Sequence, residues 1–340
     1  MSYQLCMICV IINKKVLIMK KIAIIFFSLL LFFSFIKAEN LIAKKKVFYI
    51  NSYHSGLYWS DGIEKSIKEI LSKSKIPLEF REVEMNSKRN NNEPYKIKIA
   101  QKIKNQIENF KPDVIITSDD NAFKYVILPY FKNSNIPVVF CGINGSSKKY
   151  GLPISNITGI EEVQLVPQTV EILSKYSKGD RVGFLKDDSL TTRIELAYFQ
   201  KQLNKKMDAR LVTSVEEWEK EFINLQNSVD ILIIGYGGSI KEWDENKKQI
   251  KNFTLQNTII PTGTGDGNLI EYALLSLPLK PEEQGEWVAN TALKILEGED
   301  IRNIPIVTNK KSNIFINTTL AKKFNIVFPF EIIDNAVLVK

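Results

Sequence analysis

Apolar residues along this chain fall into short continuous runs that alternate with longer stretches of helical spacing. Val47–Ile50 is such a run, preceded by three lysines and followed by Asn51-Ser52. A brief apolar run bounded by turn residues fits a strand buried on both faces. Similar runs recur at Pro77–Met85, Asp113–Thr117 and Ile136–Phe140, then at Arg181–Leu185, Ala209–Thr213, Val229–Ile234 and Thr258–Pro261. Between them lie amphipathic patterns. Gly62–Leu71 places Ile63, Ile67, Ile70 and Leu71 on one face, with Ser60 or Asp61 as its cap. Pro94–Phe110 keeps Ile97, Ala100, Ile103 and Ile107 in phase until Lys111-Pro112 stops it. Further helices are predicted from Ala122 and over Pro167–Tyr176, Thr191–Lys206, Val215–Gln226 and Ile240–Phe253. Pro281–Leu296 opens with a proline and two acids, as helix starts prefer, and Gly298 closes it. Ile304–Val307 reads as a strand, and Asn317–Phe324 as a short helix followed by Ile326–Pro329. Asn156–Ile160 is a candidate hinge strand between two strand–helix series of similar size. This grammar predicts an α/β protein whose parallel sheets are covered on both faces.

Charge and leader change the picture next. The chain has 340 residues, enough for two domains, with 44% hydrophobic residues and a formal charge of +8. Residues 1–38 hold Lys14, Lys15, Lys20, Lys21 and Lys37 and no acid. Without them 41 basic side chains face 38 acidic ones, a net of +3, which is no footprint for nucleic acid. Met19-Lys20-Lys21, the fifteen-residue apolar run Ile22–Ile36 and Lys37-Ala38 have the order of a secretory leader cleaved after Ala38. Fifteen residues are short for a membrane span. Met1–Ile18 reads as an upstream extension that contains Cys6 and Cys9. After processing only Cys141 remains, so no internal disulfide is expected.

Several stretches carry a family likeness. IPVVFCGIN, NITGI, RVGFL and the long run from PEEQGEWVANTALKIL to NIVFP resemble the substrate-binding proteins of ABC transporters. More narrowly, they look like the family whose best-understood members bind aromatic amino acids. INSYHSGLYWSDGI is similar to a subset that also occurs as extracytoplasmic sensor regions. The resemblance covers Lys46–Lys340. It implies the type I periplasmic-binding-protein fold: two Rossmann-like lobes with parallel sheets, three crossing segments and a ligand cleft between the lobes. By that analogy residues 45–158 and 280–300 form lobe 1, and residues 159–279 and 301–340 form lobe 2. The crossings are then expected near Asn156–Ile160, Leu279–Lys280 and Asp300–Ile304.

Ligands of open α/β sheets bind outside the carboxyl ends of the strands. The strand ends of the first lobe supply Tyr53, His54, Trp59, Ser118, Asp119, Asp120, Gly142 and Asn144. Those of the second supply Asp187, Tyr236, Gly237, Thr262, Gly263 and Asp266. Glycines admit a ligand close to the backbone. Helix N-termini after Ser118, Ser189 and Ser239 suit a carboxylate. The aspartates suit an ammonium group, and Tyr53, Trp59 and Tyr236 suit an apolar or aromatic body. An amino acid or similar amine uses all three. The alternative role for each Asp and Ser is to cap a helix.

Catalysis has little support. His54 and Cys141 belong to different strand ends, and no G-x-S-x-G nucleophile elbow is present. The glycine runs Gly235–Ser239 and Gly263–Gly267 match neither the dinucleotide fingerprint nor the P-loop, so no cofactor is implied. The sequence therefore points to a monomeric periplasmic solute-binding protein that delivers a small molecule to a membrane permease. A ligand sensor working with a membrane sensor kinase is the alternative, and a secreted hydrolase is the more distant one.

Overall fold

The computed structural model describes residues 43–340, with isolated positions at 19, 21, 24–26 and 28. Those positions apart, the extension Met1–Ile18 with Cys6 and Cys9, the leader Ile22–Ile36 and the cleavage after Ala38 lie outside the described residues. In chain order the first elements are β1 (Lys45–Asn51), α1 (Tyr58–Ser72), β2 (Leu78–Glu84), α2 (Glu93–Phe110) and β3 (Val114–Ser118). Next come α3 (Asp119–Ala122), which runs on as a π-type helix over Phe123–Phe131, then β4 (Val138–Asn144) and β5 (Ile157–Glu162). There follow α4 (Val166–Leu173), β6 (Val182–Asp187), α5 (Leu190–Leu203), β7 (Asp208–Val212), α6 (Val215–Gln226) and β8 (Ile231–Ile234). Then come α7 (Lys247–Asn257), β9 (Thr262–Thr264), β10 (Leu275–Ser276), α8 (Pro281–Leu296) and β11 (Val307–Thr308). The chain closes with β12 (Ile314–Asn317), α9 (Thr318–Lys323), α10 (Phe330–Ile333) and β13 (Ala336–Val339).

Two sheets organise these elements. The first has six strands in the order β11-β5-β4-β3-β1-β2, and the second has seven in the order β13-β12-β10-β9-β8-β6-β7. β10 and β12 run antiparallel, whereas β1–β3, β3–β4, β4–β5, β6–β8 and β8–β9 are parallel. Val47, Phe48, Tyr49 and Ile50 are fully buried, as a central strand with helices on both faces requires. One core packs Phe48, Ile103, Phe123 and Phe140 around the first sheet. Two further cores flank the second, around Phe184 and Phe199 and around Trp218, Phe222 and Trp243.

Register fixes the geometry that matters here. Asn51 pairs with Ser118, and Ser118 with Cys141, so the carboxyl ends of β1, β3 and β4 finish in one row. A register shift between Phe140 and Ile143 bends β4 at that row.

Several expectations shift. β5 ends at Glu162 and pairs with β11, so the expected lobe boundaries at 158 and 301 leave two strands of the first sheet in the wrong lobe. The chain leaves the first sheet at Val163–Leu165, returns before α8, and leaves again at Asn309–Asn313. α1 begins at Tyr58 rather than Gly62, and neither Ser60 nor Asp61 caps it; Asp61 instead accepts from the Gly56 amide at 3.0 Å. The stretch 240–246 is not helical, and α7 starts at Lys247. Thr258–Pro261 is not the strand; β9 is Thr262–Thr264. β12 and β13 were not read from the sequence.

Candidate functional site

The strand-end row is held by Ser52 and Tyr49. The Ser52 hydroxyl donates to the Ser118 carbonyl at 2.5 Å and accepts from the Ala122 amide at 2.7 Å. The Tyr49 and Ser118 hydroxyls meet at 3.0 Å. These contacts turn the chain sharply after β3 and put Asp119 in the left-handed region, at φ 66°. Gly142 faces that turn with φ 66°, and its amide donates to Gln284 Oε1 at 3.0 Å. A Cβ at Gly142 would lie 3.0 Å from Asp119 Oδ1, so only glycine leaves room for the carboxylate.

Asp119 is 2% exposed. Its Oδ1 accepts from Trp59 Nε1 at 3.1 Å, and its Oδ2 has no hydrogen-bond partner. Burial pushes its carboxyl up to about 7; the Trp59 hydrogen bond opposes this, Asp120 adds to it, and Ser118 and then Lys88 oppose it more weakly. The neighbouring Asp120 is the reverse case. It accepts from the Asn144 amide at 3.1 Å, Asn144 Nδ2 at 3.0 Å and the Tyr150 hydroxyl at 2.6 Å, and it pairs with Lys149 at 2.8 Å. Burial would raise its pKa, yet these donors together hold it below the usual carboxylate range. Asp120 and Asn144 thus spend their polar groups on each other and on the Lys149–Tyr150 turn.

Glu162, at the end of β5, completes the acidic wall. It is half-buried, and among the described residues no hydrogen bond reaches its carboxylate. Burial pushes it well above the ordinary range, with the charges of Asp119, Asp120 and Glu195 adding and Lys88 opposing. Tyr53 stands beside this group under the Lys88 ammonium, 4.9 Å from its ring, and burial drives its phenol strongly upward. His54 Nδ1 lies 2.9 Å from the Ser55 carbonyl.

A cleft of about 500 Å³ opens between the two sheets. Tyr58, Trp59 and Glu162 wall it from the first sheet, and Gln164 from the crossing. Asp266, Asn268, Asn313 and Phe315 wall it from the second. Of the residues expected from sequence, Trp59 and Asp266 line it, and Asp119 stands directly behind Trp59. Asp266 also caps the turn that follows it, accepting from the Asn268 amide at 3.0 Å.

The other expected residues of the second sheet are built into the scaffold. Asp187 accepts from Thr192 Oγ1 at 3.1 Å and from the Ser239 amide at 3.0 Å, tying two strand-end loops together. Tyr236 packs edge-on against Trp243 at 5.8 Å and donates to Asp244; burial and Asp244 push its phenol up to about 12. Gly237 lies under the Trp243 ring. Thr262 Oγ1 accepts from the Leu274 amide at 3.1 Å, and Gly263 faces Thr169 and Leu173 of α4. None of these five lines the cleft.

Sequence reasoning missed Glu162, Gln164, Asn313 and Phe315. The available signal was Glu161-Glu162-Val163-Gln164, polar residues placed where the chain leaves an apolar strand. Chemically, the wall offers the Glu162 carboxylate, with Asp119 behind Trp59, to a cationic donor, aromatic faces to an apolar body and side-chain amides to further polar groups. Among the described residues no group of three or more His, Cys, Asp or Glu is arranged to hold a metal ion.

Comparison with known proteins agrees with this architecture. Residues 47–340 match the family described as ABC transporter substrate binding protein. A tyrosine-binding protein of Clostridioides difficile is 20% identical over 203 residues, which are 57% of this chain and 58% of that protein. The match thus spans less than two thirds of the relative. Among solved structures, a ligand-free, open substrate-binding protein with adhesive properties from Clostridium difficile aligns with a TM-score of 0.67 at 17% identity, over 87% of this chain and 99% of that one. An ABC domain in complex with L-Trp from Streptococcus pneumoniae aligns with a TM-score of 0.55 at 14% identity, over 88% and 100%. These likenesses show the fold, the two-sheet α/β architecture of type I periplasmic binding proteins. The chain belongs to the ABC transporter substrate-binding protein family.

Proposed function

We propose that this protein captures an aromatic amino acid or a closely related amine in the cleft between its sheets and passes it to an ABC permease. The observation that carries this reading is Asp119: a buried carboxylate with one unpartnered oxygen, joined to the cleft by Trp59. An ammonium group supplies the missing donor, and Trp59, Tyr58 and Phe315 supply faces for a ring. The tyrosine-binding relative and the tryptophan-bound structure support the same ligand class. Capture takes place outside the cytoplasmic membrane, after export directed by the leader read over Ile22–Ile36.

A thermal-shift screen of amino acids, amines, nucleosides and sugars tests the reading. A true ligand at about 100 times its Kd stabilises the fold by roughly 2.7 kcal/mol. L-tyrosine or L-tryptophan is expected to raise the melting point, and the Asp119→Ala variant is expected to lose that response. Shifts produced only by neutral sugars, or by anions without an amine, would overturn the proposal.

A further inference from the structure

Two carboxyl groups at the cleft are left over once every hydrogen bond is assigned. Asp119 keeps one oxygen without a donor although it is 2% exposed, and Glu162 has no donor at all among the described residues. Their neighbours relieve them only in part, through Trp59 and Ser118 beside Asp119. Tyr49 on β1, Tyr53 in the loop after it, Asp120 on the same turn as Asp119 and Cys141 on β4 are acids or neutral groups. Glu195 of α5 acts on Glu162 from the other sheet, and its charge is answered by Lys186 at 2.7 Å. Lys88, after β2, is a cation that acts on both carboxyls, and among the described residues no ion pair joins it to either. Lys149 is engaged with Asp120. An ionised carboxylate taken out of water without a full set of partners is costly, almost fully so for Asp119 and in part for the half-buried Glu162, and protonation is the ordinary escape.

We infer that Asp119 and Glu162 form a proton-linked receptor for the ligand's ammonium group, holding a proton when no ligand is bound and expelling it when the amine arrives. The exchange balances. The carboxyl O–H bond breaks, the proton passes to water, and the carboxylate left behind accepts a hydrogen bond from the ammonium. Net charge is conserved, because one positive charge enters the site as another leaves. The inference rests on the amino-acid reading of the cleft given above. It adds that capture responds to pH although His54, the chain's one histidine, is not among the residues that line the cleft. Because burial sets the Asp119 carboxyl at about 7, the receptor is ready above that pH and blocked below it. For one proton, affinity then falls about tenfold for each pH unit below the midpoint.

The test is titration calorimetry with L-tyrosine and L-tryptophan across about two pH units on either side of neutrality, in buffers of different ionisation enthalpy. Support is a Kd that rises about tenfold per unit on the acid side, with proton release that depends on the buffer. Trp59→Phe removes the hydrogen bond that favours the ionised form. It should therefore move the midpoint upward, a change that simple loss of packing would not produce. Asp119→Asn should reduce the release, and Asp119→Asn combined with Glu162→Gln, each checked for folding by circular dichroism, should abolish it. Binding with a flat pH profile would overturn this inference and leave the proposed ligand class standing. Failure of both amino acids to bind at every pH would overturn the ligand class and this inference with it.

Discussion

Asp119 combines a left-handed backbone, near-complete burial and an oxygen with no donor. Such a group weighs on the ligand-free fold. Its carboxyl stands at about 7 in the folded chain against an ordinary value of 3.8. A carboxyl raised on folding favours the native state while it is protonated. That contribution is complete below the unfolded value and is lost as pH rises through the folded one. Stability of the ligand-free protein should therefore decline from about pH 4 to about pH 7, and Glu162 pushes in the same direction. Asp119→Asn keeps an acceptor for Trp59, tolerates positive φ and carries no charge. It should raise stability near pH 8 by on the order of 1–3 kcal/mol, even with its amide unsatisfied. Urea melts of both proteins at about pH 5 and about pH 8 measure this; a variant weaker than the parent at the higher pH would contradict it. At this scale the sequence was half legible. A strand end followed by Ser118-Asp119-Asp120 identified the turn. It did not say which aspartate is spent, because the partners of Asp120 lie 24 and 30 residues further on.

Among elements, the pairing of α1 with α8 depends on two glycines. A Cβ on Gly285 would fall 2.3 Å from the Ile63 carbonyl oxygen and 2.8 Å from Ser66 Cβ; one on Gly62 would fall 2.6 Å from Pro281 Cγ. The helices are therefore closer than side chains permit, and backbone carbonyls cannot yield as a flexible side chain does. Gly285→Ala should cost at least about 1–3 kcal/mol by overpacking, with the melting point falling roughly 2–4 °C per kcal/mol. A melting point equal to that of the parent would show that the helices separate freely. α8 was legible because its proline, acids and apolar phase agree. The strand before Thr262 was misread for a local reason. Thr258 Oγ1 donates to Thr254 and the Ile259 amide to Gln226, which finishes α7, and Pro261 has no N–H to give. Pairing with β8 therefore begins at Thr262. Residues 240–246 are not helical because Trp243 folds back onto Gly237 and Tyr236. That tertiary contact has no periodic signature.

The three places where the chain passes between the sheets are tied into one knot. Asn309, 3% exposed, accepts from the Val163 amide at 2.7 Å and donates to the Val163 carbonyl at 3.0 Å, joining the first crossing to the third. Glu283, at the start of α8, accepts from the amides of Lys310 and Lys311 at 2.8 and 2.7 Å, joining the second to the third. The two-series alternation of strands and helices made this organisation legible, but its positions were misplaced by several residues. The strands at the boundary end in polar residues that an apolar pattern does not count. A knot of buried hydrogen bonds at the crossings leaves rotation of one sheet layer against the other as the low-cost motion, with the cleft walls of Trp59 and Glu162 approaching Asp266 and Asn313. Ligand drives such closure only through contacts it gains in the closed state. On the proposed reading, an amino acid held by Asp119 and Glu162 on one side would gain such contacts from the Asn313 side chain on the other. Small-angle scattering with whichever amino acid raises the melting point should then show a smaller radius of gyration at saturation. Asn313→Ala, which removes one cross-cleft amide, should weaken both affinity and compaction. An unchanged radius of gyration with saturation confirmed by calorimetry would mean that the cleft takes its ligand without moving.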